Sequence, residues 1–508
     1  MPTPTRKLTN PIVRACRMTA DEILDALLGL DAGRRAAILD SGGARGEEAR
    51  FLIAGFDPFE TIEAYGGELR TGSRGADGWK FESVEDDGAL LLGLLDERLD
   101  AYHVAATAQD ASPVCGGACV ASFSYDFARR FLRLRSRAPV RNEGVREPDA
   151  SLAFYDTLLV HDYASGATNL VSVGGEERIR ETCDALEQSL DASIGMKAAG
   201  VEKKRGARTE DRRREDGRRK GRALVDSNLT REEYVARVER IKEHIFAGDI
   251  YQANLTQQFT LKLDAETDAA AVFRRLRREH PASFGAFLRR EGATVVSASP
   301  ERFLRVEVAT VDGRRVRRVE AWPIKGTRGR GTNVEDDARL RAELLSSEKE
   351  RAENVMIVDL MRNDLGRVCA YGSVEVAELC AVQEHPTLFH LVSKVRGVLR
   401  EEVTAGALLR ATFPSGSITG APKLRAMEII DEAETVSRGL SMGALGYFSF
   451  DGAIDLSVAI RTMTIADDGT TRFNVGGGIV ADSCPSAEYE ESLLKARALL
   501  RALNVAEP

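Results

Sequence analysis

The sequence lacks any hydrophobic run long enough to cross a membrane. Its longest aliphatic run, Ala89-Leu-Leu-Leu-Gly-Leu-Leu95, is far shorter than the roughly 20 residues that span a bilayer. No hydrophobic signal-peptide segment follows the amino terminus. These absences argue against a helical membrane protein, and we expect the chain in the cytoplasm without a membrane partner.

An excess of positive charge is also missing. The 508 residues include 71 Lys and Arg against 79 Asp and Glu, which gives a net charge of -8 at pH 7. Proteins that bind nucleic acids usually carry a basic surface or stripe. The charge balance therefore predicts no nucleic-acid partner, although it allows a local basic site for a small anion.

The seven cysteines form no pattern typical of disulfides or zinc. Their number is odd and they are scattered along the chain, as free thiols in a reducing compartment are. Only Cys115 and Cys119 are close in sequence, and no second pair of Cys or His lies at zinc-finger spacing. We therefore expect free thiols and no zinc site.

The sequence that is present divides into three regions. Residues 1–195 mix helix and strand patterns without a catalytic spacing, so we interpret them as a scaffold or a regulatory binding module. Residues 196–228 are charged with almost no apolar side chains, which predicts a solvated linker. Residues 229–508 contain Asp-Gly pairs at 312, 451 and 468, each typical of a tight hairpin between strands. The pattern predicts an α+β fold.

One lysine occupies an unusual position. In Pro323-Ile-Lys-Gly-Thr-Arg-Gly-Arg-Gly331, Lys325 lies between a proline that restricts the backbone and Gly326, which allows a ligand to approach closely. A lysine becomes a nucleophile when burial or a nearby cation keeps its amine deprotonated. Lys325 is therefore a candidate nucleophile, and an anion-binding basic turn is the alternative that this stretch alone leaves open.

Carboxylates recur at helical spacing. Glu353 lies on a helix that Ser347 is expected to cap, and Glu488, Glu491 and Lys495 share one face of the final helix. Such side chains are usually solvated surface. If they converge, an oxygen-only site suits Mg²⁺ better than zinc.

A second set of residues has the properties of an anion site. The segment Gly416-Ser-Ile-Thr-Gly-Ala-Pro-Lys423 opens a helix, and Gly476-Gly-Gly-Ile479 offers unobstructed backbone amides. Arg461 and Lys495 can neutralise a carboxylate. His390 is a candidate acid or base, with a satisfied core histidine as the alternative. Together these residues describe a site for a small dianion beside Mg²⁺.

Several motifs occur in an order that is typical of a known family. They are the Lys325 stretch, Asp359-Leu-Met-Arg-Asn-Asp-Leu-Gly-Arg367, Pro414-Ser-Gly-Ser-Ile-Thr-Gly-Ala-Pro-Lys423, Gly446-Tyr447 and Gly476-Gly-Gly-Ile-Val-Ala-Asp-Ser483. They closely resemble the chorismate-utilising enzymes, which include the large subunits of anthranilate synthase and aminodeoxychorismate synthase. The likeness is strong over about residues 228–505. It is weaker over residues 1–195, where Ile38-Leu-Asp-Ser-Gly42 resembles the glutamine-dependent members.

The resemblance implies an antiparallel-sheet sandwich with flanking helices around a site for Mg²⁺ and chorismate. It implies that Glu353 and Glu491 ligate Mg²⁺, with Glu488 behind them. It also implies that Glu301 is the general acid for the departing C4 hydroxyl, assisted by His390. The implied substrate-binding residues are Ser417, Thr419, Tyr447, Arg461, Gly476, Gly477, Gly478 and Lys495.

Position 325 indicates the branch of the family. Anthranilate synthases resemble Pro-Ile-Ala-Gly-Thr here, whereas aminodeoxychorismate synthases have Pro-Ile-Lys-Gly-Thr, with the lysine adding at C2 of chorismate. The resemblance therefore implies amination at C4, on the route to 4-aminobenzoate and folate. Trp322 departs from the family pattern, in which some relatives carry a polar or basic residue. Anthranilate synthesis and a non-catalytic tryptophan-binding subunit are the two alternatives.

The resemblance also implies protein partners. The printed sequence has no nucleophile elbow carrying a cysteine, so we expect ammonia from a separate glutamine amidotransferase subunit or from free ammonium. It leaves no extra length for a lyase, so a separate aminodeoxychorismate lyase would form 4-aminobenzoate.

Overall fold

The computed structural model describes residues 8–42, 49–75, 78–86, 90–105, 112–135, 147–206, 225–264, 267–311, 313–385 and 388–505, with side chains omitted for 193–206. Its α-helices are α1 (Ala20–Gly29), α2 (Leu90–Ala101), α3 (Gly175–Gly206), α4 (Arg231–Phe246), α5 (Ala269–Glu279), α6 (Val334–Ser346), α7 (Glu348–Gly366), α8 (Ala405–Thr412), α9 (Lys423–Ala433) and α10 (Pro485–Leu503).

Strands make up most of the remaining regular structure. They are β1 (Ile12–Cys16), β2 (Ala37–Asp40), β3 (Phe51–Gly55), β4 (Glu60–Tyr65), β5 (Glu68–Gly75), β6 (Gly78–Glu85), β7 (Ala118–Phe123), β8 (Ala150–Tyr155), β9 (Thr157–Asp162), β10 (Ala167–Ser172), β11 (Asp226–Ser227), β12 (Gln252–Lys262), β13 (Phe284–Arg290), β14 (Ala293–Ser299), β15 (Arg302–Val311), β16 (Arg314–Ala321), β17 (Ile324–Gly329), β18 (Glu375–Glu384), β19 (Leu388–Val398), β20 (Gly420–Ala421), β21 (Ala444–Ser449), β22 (Ile454–Val458), β23 (Thr462–Ala466) and β24 (Thr470–Ile479).

Two large antiparallel sheets each contain strands from both halves of the chain. The first has the order β1-β10-β9-β3-β2-β13-β14-β23-β24-β12-β11, with β20 also paired to β12. The second has the order β17-β19-β16-β15-β22-β21-β7-β8-β4-β5-β6, with β18 also paired to β19. The halves join where β2 pairs with β13 in the first sheet and β7 with β21 in the second. The amino-terminal region therefore completes both sheets.

Buried apolar side chains lie between the two sheets and on their outer faces. Leu288 and Val295 of the first sheet share one core with Val120 and Leu445 of the second, which makes the sheets a sandwich. A second core packs α2, α7 and α8 on the outside of the second sheet, and a third packs α1, α5 and α10 on the first. The predicted α+β sandwich with flanking helices is confirmed.

Local sequence signals account for several element boundaries. Thr19 and Thr230 form the predicted capping boxes, in which each threonine side chain accepts a backbone N–H and a glutamate returns the bond. The predicted hairpins at 451 and 468 connect β21 to β22 and β23 to β24, with Gly452 and Gly469 at positive φ. The hairpin at 312 also forms, between β15 and β16, although Asp312 itself lies outside the described residues.

The predicted linker differs from the structure at its edges. Helix α3 continues to Gly206, because residues 196–206 include good helix formers such as Ala, Glu and Lys. Asp226 and Ser227 pair with β12 as β11, and residues 207–224 lie outside the described residues. The division of roles among the three regions stays a prediction. No helix in the described ranges is long and apolar enough to cross a membrane.

Candidate active site

Several elements bring the predicted site residues together at one end of the sandwich. Strand β17 carries Lys325, the turn before β15 carries Glu301, and β19 carries His390 beside β17. A short 3-10 turn at Gly416–Ile418 contributes Ser417. Helices α7 and α10 add carboxylates from outside the sheets.

Lys325 is a buried cation with only loosely placed partners. Its side chain is 13% exposed, and its Nζ lies 4.0 Å from Oε2 of Glu353. Burial lowers the pKa of Lys325 and outweighs Glu353 and Glu301, which raise it. Gly326, the next residue, has φ +87°, a conformation that favours glycine. The pKa shift is therefore in the direction that a nucleophilic lysine needs.

Glu301 is a buried carboxyl group with an elevated pKa. Only 5% of the residue is exposed, and burial raises its pKa to about 7. A hydrogen bond from Ser417, the charge of Lys325 and the backbone of Ile324 partly oppose that rise. A carboxyl group that keeps its proton near neutral pH is suited to general-acid catalysis.

His390 is neutral at physiological pH. It is 4% exposed, and its Nδ1 is 3.0 Å from the hydroxyl oxygen of Thr327. Burial lowers the pKa of His390 to about 3, and the charges of His385 and Arg461 lower it further. The imidazole can thus accept or donate a hydrogen bond but holds no transferable positive charge near pH 7.

Three carboxylates approach one another between α7 and α10. Burial raises the pKa of Glu353, and the charges of Glu488 and Glu491 raise it further. A Cβ built on Gly477 would lie 3.3 Å from Oε2 of Glu488 and 3.8 Å from Oε1 of Glu491. Any larger residue at Gly477 would therefore crowd these two oxygens.

The same carboxylates are neutralised by lysines. The two carboxylate oxygens of Glu353 lie 4.0 Å from Nζ of Lys325 and 4.0 Å from Nζ of Lys349. Nζ of Lys495 lies 2.7 Å from Oε1 of Glu491. No group of three or more His, Cys, Asp or Glu side chains within the described ranges is arranged to hold a metal ion. The all-oxygen donor set, and the burial that raises the pKa of Glu353 in spite of the lysines, nevertheless fit Mg²⁺.

Arg461 has no ionic partner in the described part of the chain. It lies between β22 and β23 with φ +49°, and burial alone lowers its pKa. Its charge also lowers the pKa of the nearby His390. A largely buried guanidinium without a carboxylate costs free energy unless a ligand supplies one. Arg461 is therefore suited to a substrate carboxylate.

The glycine segment lies in a strand of the first sheet. Gly476, Gly477 and Gly478 belong to β24 and pair with β12 along one edge, whereas the pairing of β24 with β23 on the other edge involves Thr471 and Arg472. The carbonyl of Gly476 accepts a 2.9 Å hydrogen bond from Nζ of Lys495. A Cβ on Gly478 would lie 3.2 Å from Nζ of Lys325. The missing side chains make room for these two cations.

Two predicted residues lie apart from this group. Thr419 is fully buried, and its hydroxyl donates to the carbonyl of Ser415, so it shapes the turn that carries Ser417. Tyr447 lines a separate cavity of about 690 Å³. Burial and the charge of Asp455 raise the pKa of its hydroxyl, and the charge of Arg302 partly opposes that rise. No contact recorded among the described residues joins Tyr447 to Lys325.

Comparisons with known proteins agree with this geometry. A family model described as chorismate binding enzyme matches residues 35–501. The chain belongs to this family. Aminodeoxychorismate synthase component 1 of Escherichia coli (strain K12) is 36% identical over 92% of this chain and 93% of that protein. Anthranilate synthase component 1 of Geobacillus stearothermophilus is 34% identical over 98% of this chain and 94% of that protein.

Solved structures place this chorismate-utilising enzyme in the same fold. The crystal structure of anthranilate synthase component I from Streptococcus pneumoniae TIGR4 matches with a TM-score of 0.68 and 28% identity. The match covers 90% of this chain and 93% of that one. The family and the fold are therefore shown, while the choice between two amination products needs the residues themselves.

Sequence reasoning missed Gln252 as a site residue. It is fully buried on β12, and neither atom of its carboxamide has a hydrogen-bond partner among the described residues. A Cβ on Gly478 would lie 2.9 Å from its Nε2, beside Lys325. The signal was present in the alternation of Gln252, Asn254, Thr256 and Gln258, polar residues at period two on a buried strand.

Proposed function

We propose that this chain aminates chorismate at C4, the activity of aminodeoxychorismate synthase component 1. The amine of Lys325 adds at C2 of chorismate, the ring double bonds shift, and the C4 hydroxyl leaves as water with the proton of Glu301. The proton that the added amine loses then returns to Glu301. Ammonia then adds at C4 while the bond from C2 to Lys325 breaks, and the proton that ammonia loses returns to the released amine. Chorismate and ammonia thus give 4-amino-4-deoxychorismate and water.

The proximity of Lys325 and Glu301, close enough for each charge to shift the pKa of the other, is the observation that carries the proposal. The pKa of the lysine is lowered and that of the carboxyl is raised to about 7, in both cases chiefly by burial. Both shifts increase the fractions of free amine and of protonated acid near neutral pH, the two forms that the first step needs.

Charged groups around this pair suit a dianionic substrate. Arg461 and Lys495 would each face a carboxylate, and Ser417 would keep Glu301 oriented. Glu353, Glu488 and Glu491 would hold Mg²⁺, which when bound supplies positive charge for a substrate carboxylate. Thr419 and the glycines of β24 would shape the surrounding pocket, and a substrate-binding role of Tyr447 stays a prediction.

The proposal assigns partners by chemistry. Ammonia would come from a separate glutamine amidotransferase subunit or from ammonium, since the reaction consumes it at C4. A separate lyase would convert the product to 4-aminobenzoate for folate synthesis. We propose a cytoplasmic location and no nucleic-acid partner, consistent with the net charge of -8.

Product identity tests this proposal. The purified chain is incubated with chorismate, Mg²⁺ and ammonium, and the products are separated by chromatography and identified by mass. We expect a product that an added aminodeoxychorismate lyase converts to 4-aminobenzoate. Anthranilate as the main product would instead assign the chain to the sister activity, in which ammonia attacks C2 directly.

A further inference from the structure

Trp322, the residue before the Pro323–Gly331 stretch, has two cations close to its ring. The guanidinium of Arg302 lies 4.9 Å from the centre of the indole, and Nζ of Lys394 lies 4.1 Å from it. The indole N–H donates to Glu320 at 3.1 Å, and only 5% of the residue is exposed. This geometry is favourable for cation–π attraction on a buried ring.

Both cations are themselves fixed. Arg302 donates two hydrogen bonds to Asp455, at 3.0 and 3.1 Å, and lies 5.0 Å from the ring of Phe284. Lys394 forms a 2.8 Å ion pair with Glu378. Phe284, Arg302, Trp322 and Lys394 therefore form one continuous column of side chains, hereafter the Trp322 column.

The Trp322 column joins the backbones that carry the two reactive groups. Glu301 immediately precedes Arg302, and Lys325 follows Trp322 by three residues. The regular ladder is interrupted at both places. Pairing of β17 with β19 shifts between Ile324 and Thr327, and pairing of β15 with β22 shifts beside Arg302. Both reactive residues thus lie beside irregular strand pairing, so the backbone hydrogen bonds of the sheet do not by themselves define their positions.

We infer that Trp322 is a positioning residue that sets the placement of Glu301 relative to Lys325. This inference rests on the proposed roles of those two residues. A bulky, planar ring in contact with two fixed cations resists displacement better than a flexible side chain does. A misplacement of about 1 Å between reacting groups costs up to roughly 100-fold in rate.

The inference extends to the pKa of Glu301, because the Trp322 column includes Arg302, the residue next to it. Burial is the main cause of the raised pKa of Glu301, and Lys325 is the charged group that acts on it from the neighbouring strand. Removing the indole would admit water beside this segment and lower the pKa of Glu301 toward its ordinary value of 4.5. Since the reaction needs protonated Glu301, the alkaline fall in rate would then begin at a lower pH.

The test compares Trp322→Leu with Trp79→Leu in the full-length chain. Trp79 is a matched control because the guanidinium of Arg35 lies 4.8 Å from its ring, and its indole donates to the carbonyl of Gly33. We expect Trp322→Leu to lower kcat roughly 10- to 100-fold, to leave the KM for chorismate within about twofold, and to shift the alkaline limb to lower pH. Trp79→Leu should leave both kcat and the limb unchanged.

Two further variants keep the test decisive. Trp322→Phe retains a ring and should recover most of kcat, and Lys394→Met removes one cation with little loss of bulk, should Trp322→Leu fail to fold. A folded Trp322→Leu or Lys394→Met with wild-type kcat and an unshifted limb would overturn the inference. The pH profile is measured on whichever product the wild type forms. Anthranilate formation would refute the proposed function, and the profile would still test the role of Trp322.

Discussion

Two buried cations in this molecule have opposite surroundings. Arg98 is fully buried in the amino-terminal core, where its Nε donates to Oε1 of Glu60 at 2.8 Å and Tyr102 donates to the other oxygen at 2.7 Å. Burial lowers the pKa of Arg98, but Glu60 outweighs it, so the pKa is raised overall. Lys325 has its nearest carboxylate at 4.0 Å and a lowered pKa.

The difference separates a structural charge from a reactive one. A buried cation with short, well-directed hydrogen bonds keeps its charge and holds its neighbours in place. A buried cation with distant partners is poorly compensated and easily loses its proton. The comparison therefore predicts that substitutions at Arg98 act on stability, whereas substitutions at Lys325 act on chemistry.

Replacing the reactive cation should have the largest effect. We expect Lys325→Met to lower kcat/KM at least 10³-fold, about 4 kcal/mol of lost transition-state stabilisation, because it removes the amine that adds at C2 in the proposed mechanism. The free energy of unfolding should stay the same or rise. Lys262, which is 68% exposed and paired with Asp468, provides the matched control Lys262→Met. Equal activity in the two variants would contradict the nucleophile assignment.

Replacing the structural cation should reverse this pattern. We expect Arg98→Met to lower the free energy of unfolding by roughly 3 kcal/mol, because Glu60 would be left buried without its partner. Urea denaturation measures the loss, and kcat/KM of the folded fraction should stay within about threefold. The double variant Arg98→Met with Glu60→Gln should regain part of the stability. A large loss of kcat/KM without unfolding would contradict the purely structural role of Arg98.

Glu301 extends the comparison to a buried carboxyl group, whose burial should lower the free energy of unfolding once the group ionises. Its folded pKa of about 7 exceeds its ordinary 4.5, so the folded state binds the extra proton and wild-type stability falls as pH rises from 4.5 through 7. Glu301→Gln cannot ionise. We expect it to be up to roughly 2–3 kcal/mol more stable than wild type at pH 8, equally stable near pH 4, and inactive. Unfolding free energies measured against pH check this, and a variant that is less stable at pH 8 would refute the raised pKa.

Ser417 should give the smallest effect. Its hydrogen bond lowers the pKa of Glu301, so Ser417→Ala should raise that pKa and move the alkaline limb of kcat to higher pH by about half a unit. The exposed Ser486 offers a control, since Ser486→Ala should leave the limb in place. A limb that moves to lower pH in Ser417→Ala would show that the hydroxyl does not stabilise the ionised carboxylate.

Local chemistry made much of this molecule predictable from its sequence. Capping threonines, Asp-Gly turns and the shared face of Glu488, Glu491 and Lys495 act over a few residues, and the structure bears out the helices and hairpins that they indicate. Long-range pairing was beyond such signals. The joining of both halves into shared sheets depends on strands hundreds of residues apart.

The surroundings of the predicted site residues show the same limit. The sequence predicts unobstructed backbone amides at Gly476, and its partner strand β12 could not be identified from spacing. Tyr447 lies on a strand whose inward face reaches a second cavity, which the Gly446-Tyr447 motif does not reveal. The depth of Glu301 and Lys325, which shifts both pKa values, depends on packing from several elements.

A mass measurement tests the central claim most directly. The chain is incubated with chorismate and Mg²⁺ in the absence of ammonia, quenched, and digested for peptide mass analysis. The account predicts that the peptide containing Lys325 gains the mass of chorismate less one water, and that Lys325→Met gains nothing. An unmodified peptide from a chain that still forms 4-amino-4-deoxychorismate once ammonium is added would contradict the covalent role of Lys325.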